Sequence, residues 1–373
     1  MKIPFNKTYL TGNEKAYLDQ VLASGKLSGN GEFTKTCQNL LENKYHFRKT
    51  LLTTSCTDAL EMAALLVKLQ PGDEVILPSY TFVSTANAFA LRGAKLVFAD
   101  SQKDHPNLDA SLVESLITPR TRVIVPVHYG GQACDMQTLM QLADKHSLWV
   151  VEDAAQAVDS KLGDKYLGGH GHLGALSFHD TKNIIAGEGG ALVINHEAFV
   201  KKAEIHWEKG TNRSAFFRGE VDKYGWVDVG SSFLPSELIA AFLLAQLESV
   251  AKIQQMRMHA WNAYRQALAP LEEKGVLVMP ELAHNAHMFY LVCRSLDERS
   301  ALIEYLKGQG IASVFHYLSL HKSQYFADKH DGRVLPHADR FTDCLLRLPM
   351  FAELGAAGAE RVATAVLDFY STR

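Results

Sequence analysis

Short apolar runs alternate with segments of helical periodicity through the first half of the chain. The runs EVILP, AKLVFAD and LWVVED are apolar at almost every position, which is typical of strands buried on both faces. The segments between them, such as CTDALEMAALLVKL and DMQTLMQLADKH, repeat apolar residues three and four positions apart and predict amphipathic helices. The first helix, NEKAYLDQVLAS, is expected to be capped by Asn13. Strand–helix alternation of this kind predicts parallel βαβ units and a doubly wound α/β sheet.

The stretch SFHDTKNIIAGEGGALVIN departs from this alternation, because it holds two apolar runs with no helix between them. It predicts an antiparallel pair of strands at one end of the sheet. The polar turn between the runs contains Lys182 and three glycines, Gly187, Gly189 and Gly190. A flexible hairpin with a solvated lysine would explain the turn taken alone. Three glycines also favour a close approach to the backbone, and we expect them to let the chain pass near Lys182.

The pattern changes near Pro235. A long helical segment, either one helix or two abutting ones, begins there, with Pro235 expected in the first turn, where its missing N–H costs nothing. Beyond it the sequence indicates two strands, HMFYLVC and ASVFHY, and two helices, ERSALIEYLKGQG and GAERVATAVLDFY. We therefore predict a large domain over residues 1–249 and a smaller C-terminal α+β domain over residues 250–373.

The composition argues against several classes of protein. The 373 residues carry a formal net charge of −3 with both signs dispersed, so no surface for nucleic acid is indicated. No apolar run approaches the roughly 20 residues that span a bilayer, and the first residues lack the apolar core of a secretion signal. The five cysteines form no CxxC pair and the 16 histidines no HExxH motif. We therefore expect free thiols, a cytoplasmic location and no metal site.

Chemically useful side chains follow the predicted strands, at the edge where ligands bind in an open α/β sheet. Ser55, Cys56 and Thr57 lead into a helix, whose free N–H groups and nearby hydroxyls would attract a phosphate. Phe82 follows the strand EVILP, where its ring would cover a flat ligand. Each feature also has a plainer explanation, namely a helix N-cap for Ser55 or Thr57 and core packing for the aromatic ring.

Two carboxylates and a lysine complete this set. Glu152 and Asp153 directly follow the strand LWVV and need partners there. Asp153 suits a protonated ring nitrogen, although an acid favoured at a helix N-terminus would explain it equally well. Gln156 would hydrogen-bond a ring substituent, and Glu152 would serve a neighbouring loop. An anion site, an aromatic cover, an acid and Lys182 together match one small molecule, pyridoxal 5′-phosphate. We therefore predict that Lys182, with a pKa lowered by burial, is the amine that bonds to this cofactor.

A segment with little periodicity, residues 210–226, is rich in cations and aromatic rings. Connections of this length are often functional. Arg213, Lys223, Tyr224 and Trp226 would suit a phosphorylated substrate that contains a ring. A solvated loop or a contact between subunits would explain the segment equally well.

Six blocks resemble the sugar-nucleotide aminotransferases of the DegT/DnrJ/EryC/StrS family, and the resemblance runs nearly end to end. The blocks, in family order, are SGKLSGNGEFT, PSYTFVSTANA, VPVHYGG, VEDAAQA, SFHDTKN and GEGGALVIN. The resemblance implies the fold type I architecture of pyridoxal-phosphate-dependent transferases. That architecture has a large domain with a mostly parallel central sheet and a smaller C-terminal α+β domain.

The resemblance also implies roles for individual residues. Lys182 would be the Schiff-base lysine, and Asp153 would pair with the pyridine nitrogen. Gln156 would lie beside the ring hydroxyl, and Phe82 would stack on the ring. The residues that would hold the phosphate are Cys56, Thr57 and Ser177.

Members of this family are dimers with active sites at the interface, so the resemblance implies a homodimer. In many members a block like GxNxR supplies an asparagine from the neighbouring subunit to the phosphate. Here the block reads GSSFL, with Ser232 at the asparagine position and Leu234 at the arginine position. Ser232 would then make this contact less strongly than an asparagine.

A narrower set of blocks, including EKGTNRSAFFRGEVDKYGWVDVGSS and NAHMFY, resembles members that act in enterobacterial common antigen synthesis, a polysaccharide pathway. It implies amination of dTDP-4-keto-6-deoxy-D-glucose by L-glutamate. The products would be dTDP-4-amino-4,6-dideoxy-D-galactose and 2-oxoglutarate. Amination at carbon 3, the opposite stereochemistry at carbon 4, a cofactor-binding regulator without turnover, and a plain doubly wound protein stay open as alternatives.

The second domain contributes five polar candidates near the cleft between the domains, where sites often form. His316 is predicted to bind substrate, together with the cations and the tyrosine of residues 210–226. The undecided residues are Asn285, His287, Tyr317 and His321, and a structural role would explain each of the histidines equally well.

Overall fold

A seven-stranded sheet lies at the centre of the computed structural model, which describes residues 2–282 and 284–371. The strands, in chain order, are β1 Lys49–Thr53, β2 Glu74–Pro78, β3 Lys95–Ala99, β4 Thr121–Ile124, β5 Trp149–Asp153, β6 Lys161–Leu162, β7 Lys165–Tyr166, β8 Leu173–Ser177, β9 Gly190–Ile194, β10 Phe289–Val292, β11 Val314–Phe315 and β12 Leu345–Leu348. The central order is β1-β9-β8-β5-β4-β2-β3. Neighbouring strands from β8 to β3 pair in parallel, whereas β9 is antiparallel to β8 and β1. The predicted α/β sheet with an antiparallel pair at one end is confirmed.

Helices cover both faces of this sheet and one face of a second sheet. In chain order they are α1 Glu14–Ser24, α2 Glu32–Tyr45, α3 Cys56–Leu66, α4 Val83–Ala90, α5 Ala110–Leu116, α6 Met136–His146, α7 Glu197–Trp207, α8 Arg213–Phe217, α9 Glu237–Glu248, α10 Val250–Glu273, α11 Leu296–Gly308, α12 Pro336–Cys344 and α13 Gly355–Ser371. None of the helices in the described ranges is both long and apolar enough to cross a bilayer.

Burial on both sides explains why the strands are apolar at consecutive positions. Leu51 packs with α3, α4 and α7 on one side of β1, while its neighbour Leu52 packs with α2 and α9 on the other. Both side chains are almost fully buried. Each contributes about 1.5–3 kcal/mol of hydrophobic free energy, so an alternating pattern would leave one face of the sheet without its core.

Two helix ends differ from the sequence prediction. The side chain of Asn13 makes no capping hydrogen bond to α1; instead the buried carboxylate of Glu14 accepts from the backbone N–H groups of Thr11 (2.7 Å) and Gly12 (2.9 Å). Pro235 lies outside α9, because the helix begins only at Glu237. The Glu237 carboxylate is needed at that position, since it accepts from the N–H groups that open α2.

The second sheet, β10-β12-β11, is antiparallel and packs on α10 and α13. The predicted strands and helices beyond Leu268 are present, but β12 and α12 were absent from the sequence prediction. On β12 the leucines Leu346 and Leu348 point into the core against the two helices. Arg347 lies between them, so alternation along the strand turns it to the opposite face, towards the central sheet.

Candidate active site

A cavity of about 480 Å³ opens beyond the carboxyl ends of β5 and β8, between the central sheet and the second sheet. Many of the residues that the sequence singled out line it. They are Ser55, Cys56, Thr57, Phe82, Asp153, Gln156, Ser177, Lys182, Gly189, His287, His316 and Tyr317. Chain segments far apart in the sequence therefore meet at the edge where an open α/β sheet binds its ligands.

The start of α3 forms one end of the cavity. Ser55 caps the helix, with its Oγ accepting from the N–H of Asp58 at 3.1 Å. The N–H groups of Cys56 and Thr57 have no acceptor among the described residues and lie at the positive end of the helix dipole. The Thr57 hydroxyl donates to Ser84 Oγ at 2.8 Å, which adds hydroxyls beside these N–H groups. This end of the cavity suits a phosphate.

The glycines after Lys182 serve a different purpose from the one expected. A Cβ on Gly190 would lie 2.4 Å from the backbone N of Cys56 and the carbonyl carbon of Ser55. The close approach is therefore to the start of α3 rather than to Lys182. Gly187 is required for another reason, because its φ of +77° is a left-handed conformation, while nothing lies within 4 Å of its Cβ position.

Asp153 ends β5 with its carboxylate held from two sides. The Thr85 hydroxyl donates to Oδ2 at 2.6 Å, and the N–H of Ala155 donates to Oδ1 at 3.1 Å. The side chain is buried and forms no ion pair with any residue in the described ranges. A buried, fixed carboxylate without a cation suits a protonated ring nitrogen.

Gln156 fixes a tyrosine over the same part of the cavity. Its Oε1 accepts from the N–H of Gly130 at 2.7 Å, and its Nε2 donates to the Tyr317 hydroxyl at 2.9 Å. Tyr317 has a left-handed φ of +58°, which brings its ring centroid 3.5 Å from that of His316 and 6.0 Å from that of Phe82. Phe82 remains 54% exposed, so its ring is available to a flat ligand.

Lys182 projects from the hairpin between β8 and β9 into the cavity and is partly accessible to solvent. It makes no side-chain hydrogen bond or ion pair with the described residues. Burial lowers the pKa of its amine, and the cation of Arg347 lowers it further, while Cys56 and Asp153 act in the opposite sense. The net lowering enlarges the fraction of neutral, nucleophilic amine at neutral pH.

Glu152 serves the neighbouring loop, as the sequence suggested. Its carboxylate accepts from His128 Nε2 at 2.8 Å and from the N–H groups of Gly168 and Gly171, and both partners in the pair with His128 are fully buried. Burial alone would raise the pKa of Glu152, but these hydrogen bonds lower it overall. The Glu152 carboxylate and His128 support the sheet edge behind Asp153 and do not line the cavity.

The undecided residues of the second domain separate into two groups. His287 and Tyr317 line the cavity together with His316, and burial lowers the pKa values of both histidines, which keeps the rings neutral. Asn285 instead donates to the backbone carbonyls of Gln156 and Val158, and His321 bonds to Ser79 Oγ, so neither lines the cavity.

Among the residues of the cavity wall that sequence reasoning missed are Ser84, Thr85 and Arg347. Ser84 and Thr85 lie on α4, where a serine and a threonine resemble ordinary polar positions of a helix. Arg347 had a detectable signal, because it is the one cation in the apolar run LLRLP. A cation that alternates with core leucines must face a polar environment on the other side of its strand.

The remaining predicted residues lie elsewhere in the chain. Arg213 and Ser232 line a second cavity of about 820 Å³. Lys223 and Tyr224 line neither cavity and are exposed to solvent. Within one chain, the structure therefore does not bring these four residues to Lys182. The cations around the second cavity are Lys26, Lys35, Lys49, Lys209, Arg213 and Arg218.

The residues of the first cavity fit pyridoxal phosphate. Its phosphate matches the N–H groups and hydroxyls at the start of α3, and its ring matches the space beside Phe82. Its pyridine nitrogen matches the carboxylate of Asp153, which has no ion-pair partner among the described residues, and its aldehyde matches the amine of Lys182. Among the described residues, no group of His, Cys, Asp or Glu side chains is arranged to hold a metal ion.

Comparison with known proteins agrees with this geometry. The model of the DegT/DnrJ/EryC1/StrS aminotransferase family matches residues 8–367. The structure superposes on the aminotransferase TlmJ from Streptoalloteichus hindustanus with a TM-score of 0.90, 27% identity and 99% of each chain covered. NtdA from Bacillus subtilis, with the cofactor PMP bound, gives a TM-score of 0.89 at 27% identity, covering 99% of this chain and 85% of that one. Helicobacter pylori PseC, an aminotransferase of pseudaminic acid biosynthesis, shares the fold with a TM-score of 0.91 at 24% identity over the full length of both chains.

The family match covers nearly the whole chain, and the fold type I architecture and the cofactor expected from the sequence are confirmed. The chain belongs to the DegT/DnrJ/EryC1/StrS aminotransferase family and is a pyridoxal-phosphate-dependent enzyme.

Proposed function

We propose that the enzyme transfers the amino group of L-glutamate to carbon 4 of dTDP-4-keto-6-deoxy-D-glucose. The products are dTDP-4-amino-4,6-dideoxy-D-galactose and 2-oxoglutarate. The observation that carries the aminotransferase part is the meeting of Lys182 and Asp153 in one cavity with the start of α3. Solved structures with the same fold include a putative sugar aminotransferase from Streptococcus pneumoniae, which supports a sugar as the amino acceptor. The nucleotide and the position of amination rest on the blocks that resemble enzymes of enterobacterial common antigen synthesis.

We assign roles to the cavity residues from the family resemblance, and their geometry supports several of these roles. Lys182 would hold the cofactor by its aldehyde, and its amine, whose pKa is lowered by burial, would take the proton from the α-carbon of the donor as a general base. Asp153, oriented by Thr85, would keep a proton on the pyridine nitrogen. The bound cofactor supplies the electron sink that makes this α-proton acidic. Phe82 would cover the ring, Gln156 would lie beside the ring hydroxyl, and Cys56, Thr57 and Ser177 would hold the phosphate.

We also propose that the enzyme works as a homodimer in which residues 210–232 reach the partner's cavity. Arg213, Lys223 and Tyr224 then bind the nucleotide-sugar of the neighbouring site, and Ser232 contacts the cofactor phosphate there. The exposure of large apolar side chains in this segment supports an interface: Phe217 is 68% exposed and Trp226 is 81% exposed. Five free cysteines suit a reducing cytoplasm.

The domain boundary that we propose lies between α9 and α10, at Ser249. The second sheet and its core against α10 and α13 are then almost entirely C-terminal to it. Ile3 is the exception, because it pairs in parallel with Ile311 and joins the core of the second sheet.

The experiment that tests this function is an incubation of the purified enzyme with pyridoxal phosphate, L-glutamate and dTDP-4-keto-6-deoxy-D-glucose. Equimolar 2-oxoglutarate and an amino sugar, measured by coupled assay and mass spectrometry, are expected. Formation of 2-oxoglutarate without an amino sugar would mean that another keto-sugar is the acceptor. A protein that binds the cofactor but converts no L-glutamate would contradict the proposal.

A further inference from the structure

His287 is held in one orientation by hydrogen bonds from three directions. Its ring Nδ1 lies 2.9 Å from Asn183 Oδ1, its backbone N–H donates to Asn285 Oδ1 at 3.1 Å, and its carbonyl accepts from Arg257 Nη2 at 2.6 Å. Both the histidine and the asparagine that it meets are buried. The ring is therefore a preorganised part of the cavity wall.

The same network decides which ring nitrogen of His287 carries the hydrogen. Asn183 Nδ2 donates to the backbone carbonyl of Asn285 at 2.6 Å and to Gln254 Oε1 at 2.9 Å, so Oδ1 is the atom that faces the histidine. An amide oxygen only accepts, and Nδ1 of the ring must therefore donate to it. Nε2 of the neutral ring keeps its lone pair and has no partner among the described residues.

The charges around His287 keep Nε2 an acceptor. Burial is the largest cause of the lowered pKa of the ring, and the cations of Lys182, Arg257 and Arg347 lower this pKa further. The same positive charges disfavour an ammonium group as the partner of Nε2, because like charges repel. A donor without charge, such as a hydroxyl, fits this position better.

Two neighbouring polar rings of the cavity differ from His287 in this respect. The Tyr129 hydroxyl lies 2.6 Å from His316 Nδ1, and because a hydroxyl can donate or accept, this contact leaves the hydrogen of His316 unassigned. The Tyr317 hydroxyl already accepts from Gln156 Nε2 at 2.9 Å. At His287, by contrast, the surroundings determine both the direction of the ring and the nitrogen that accepts.

The keto-sugar of the proposed function has one hydroxyl next to the carbon that reacts. In a 4-keto-6-deoxy sugar, carbon 4 is bonded to carbon 3, which carries a hydroxyl, and to carbon 5, which carries the ring oxygen and a methyl group. A sugar whose carbon 4 reacts beside Lys182 therefore brings its 3-hydroxyl into the part of the cavity that His287 lines. L-Glutamate has no hydroxyl, and its ionised carboxylates donate no hydrogen bond.

We propose that Nε2 of His287 accepts a hydrogen bond from the 3-hydroxyl of the keto-sugar and so selects sugars that carry a hydroxyl next to the reacting carbonyl. This inference rests on the function proposed above. A site built to bond a hydroxyl rejects an analogue that lacks it, because the buried acceptor is then left unpaired. His287 is a specificity-determining residue for the sugar and not for the amino donor.

The test compares two ligands that cannot react, dTDP-6-deoxy-D-galactose and its 3-deoxy counterpart, on the cofactor-loaded enzyme. Their dissociation constants are measured by calorimetry. In the wild type, loss of the 3-hydroxyl should weaken binding roughly 10-fold, whereas His287→Leu should bind the two ligands equally within about twofold. His259→Leu, at an exposed position of α10, is the matched control and should keep the wild-type ratio.

The two halves of the reaction give a second readout. In His287→Leu, the reaction of the keto-sugar with the aminated enzyme should slow roughly 10-fold. Release of 2-oxoglutarate from L-glutamate should change less than about twofold, because the donor has no group for Nε2. Equal slowing of both halves would mean that His287 positions Lys182 instead, and would overturn the inference.

A crystal structure of the wild type with dTDP-6-deoxy-D-galactose keeps the test decisive if His287→Leu does not fold. The 3-hydroxyl oxygen should lie within about 3.2 Å of Nε2. A 3-hydroxyl bonded elsewhere would overturn the inference, and so would an equal preference for the 3-hydroxyl in the wild type and His287→Leu. If the wild type binds neither nucleotide-sugar and converts no keto-sugar, the proposed function fails first and the inference fails with it.

Discussion

His287 Nδ1 lies 2.9 Å from Oδ1 of Asn183, the residue that follows Lys182 in the chain. The orientation of the Asn183 amide is fixed by its Nδ2, which donates to the backbone carbonyl of Asn285 at 2.6 Å. Oδ1 therefore faces the histidine, and the Nδ1 of His287 must carry the hydrogen. The lone pair of a neutral His287 is then on Nε2, on a residue that lines the cavity beside Lys182.

The buried state of His287 predicts acid sensitivity. Burial is the largest cause of its lowered pKa, followed by the charge of Lys182. Below about pH 6.5 the unfolded chain binds a proton at His287, whereas the folded chain does not. The contribution of neutral His287 to the unfolding free energy is therefore fully present above that pH and is lost as the pH falls. His287→Gln should flatten the decline of the unfolding free energy between pH 6.5 and 5 by up to about 1.4 kcal/mol per pH unit. Urea unfolding at several pH values measures this, and parallel declines in wild type and variant would contradict it.

Replacement of Lys182 by alanine should lower turnover about 10⁴-fold or more, because no other amine lies in the described wall of the cavity to bond to the cofactor and move the proton. The measurement is 2-oxoglutarate release from L-glutamate. Lys201→Ala, at an exposed position of α7, is the matched control and should retain full activity. Substantial turnover in the Lys182 variant would remove this residue from the mechanism.

Asp153→Asn keeps the size of the side chain but removes the charge that holds a proton on the pyridine nitrogen. We expect kcat for the L-glutamate half-reaction to fall about 10²- to 10³-fold. Thr85→Val, which removes the hydroxyl donating to Oδ2, should lower it about tenfold. Near-normal single-turnover rates in Asp153→Asn would show that the carboxylate has another role.

Two of the three glycines after Lys182, Gly187 and Gly190, should respond differently to alanine. In Gly190→Ala the new Cβ would collide with the Ser55–Cys56 backbone and displace the N–H groups at the phosphate end. Cofactor affinity should fall roughly 10-fold or more, as measured by fluorescence titration of the apoenzyme. Gly187→Ala meets no atom and should cost about 1–2 kcal/mol of unfolding free energy for its left-handed φ, with cofactor affinity unchanged. Equal affinities in the two variants would contradict this assignment.

The proposed exchange of residues between subunits predicts complementation. Lys182→Ala lacks the amine but keeps Arg213, whereas Arg213→Ala keeps Lys182, so a mixed dimer contains one site with both wild-type residues. Refolding equal amounts of the two variants together should restore about a quarter of the wild-type sites. Activity no higher than the sum of the separate variants would show that each cavity is built from one chain.

Much of the fold could be predicted because strands buried on both faces are apolar at consecutive positions, as at Leu51 and Leu52. The meeting of Lys182, Asp153 and the start of α3 in one cavity could be predicted because each of them ends or follows a strand at the same edge of the sheet. Arg347 could not be placed, because it lies on a four-residue strand that pairs with distant segments, and strand pairing of this kind is not local. The purpose of Gly190 was misjudged for a similar reason, since its neighbour at the start of α3 is more than a hundred residues away.

The central claim, that an amino group is placed axially on carbon 4 of a dTDP-linked sugar, is tested most directly by a proton NMR spectrum of the sugar product. The account predicts a small coupling between the protons on carbons 3 and 4, as in a galacto configuration. A large coupling would mean the gluco epimer and would contradict the named product.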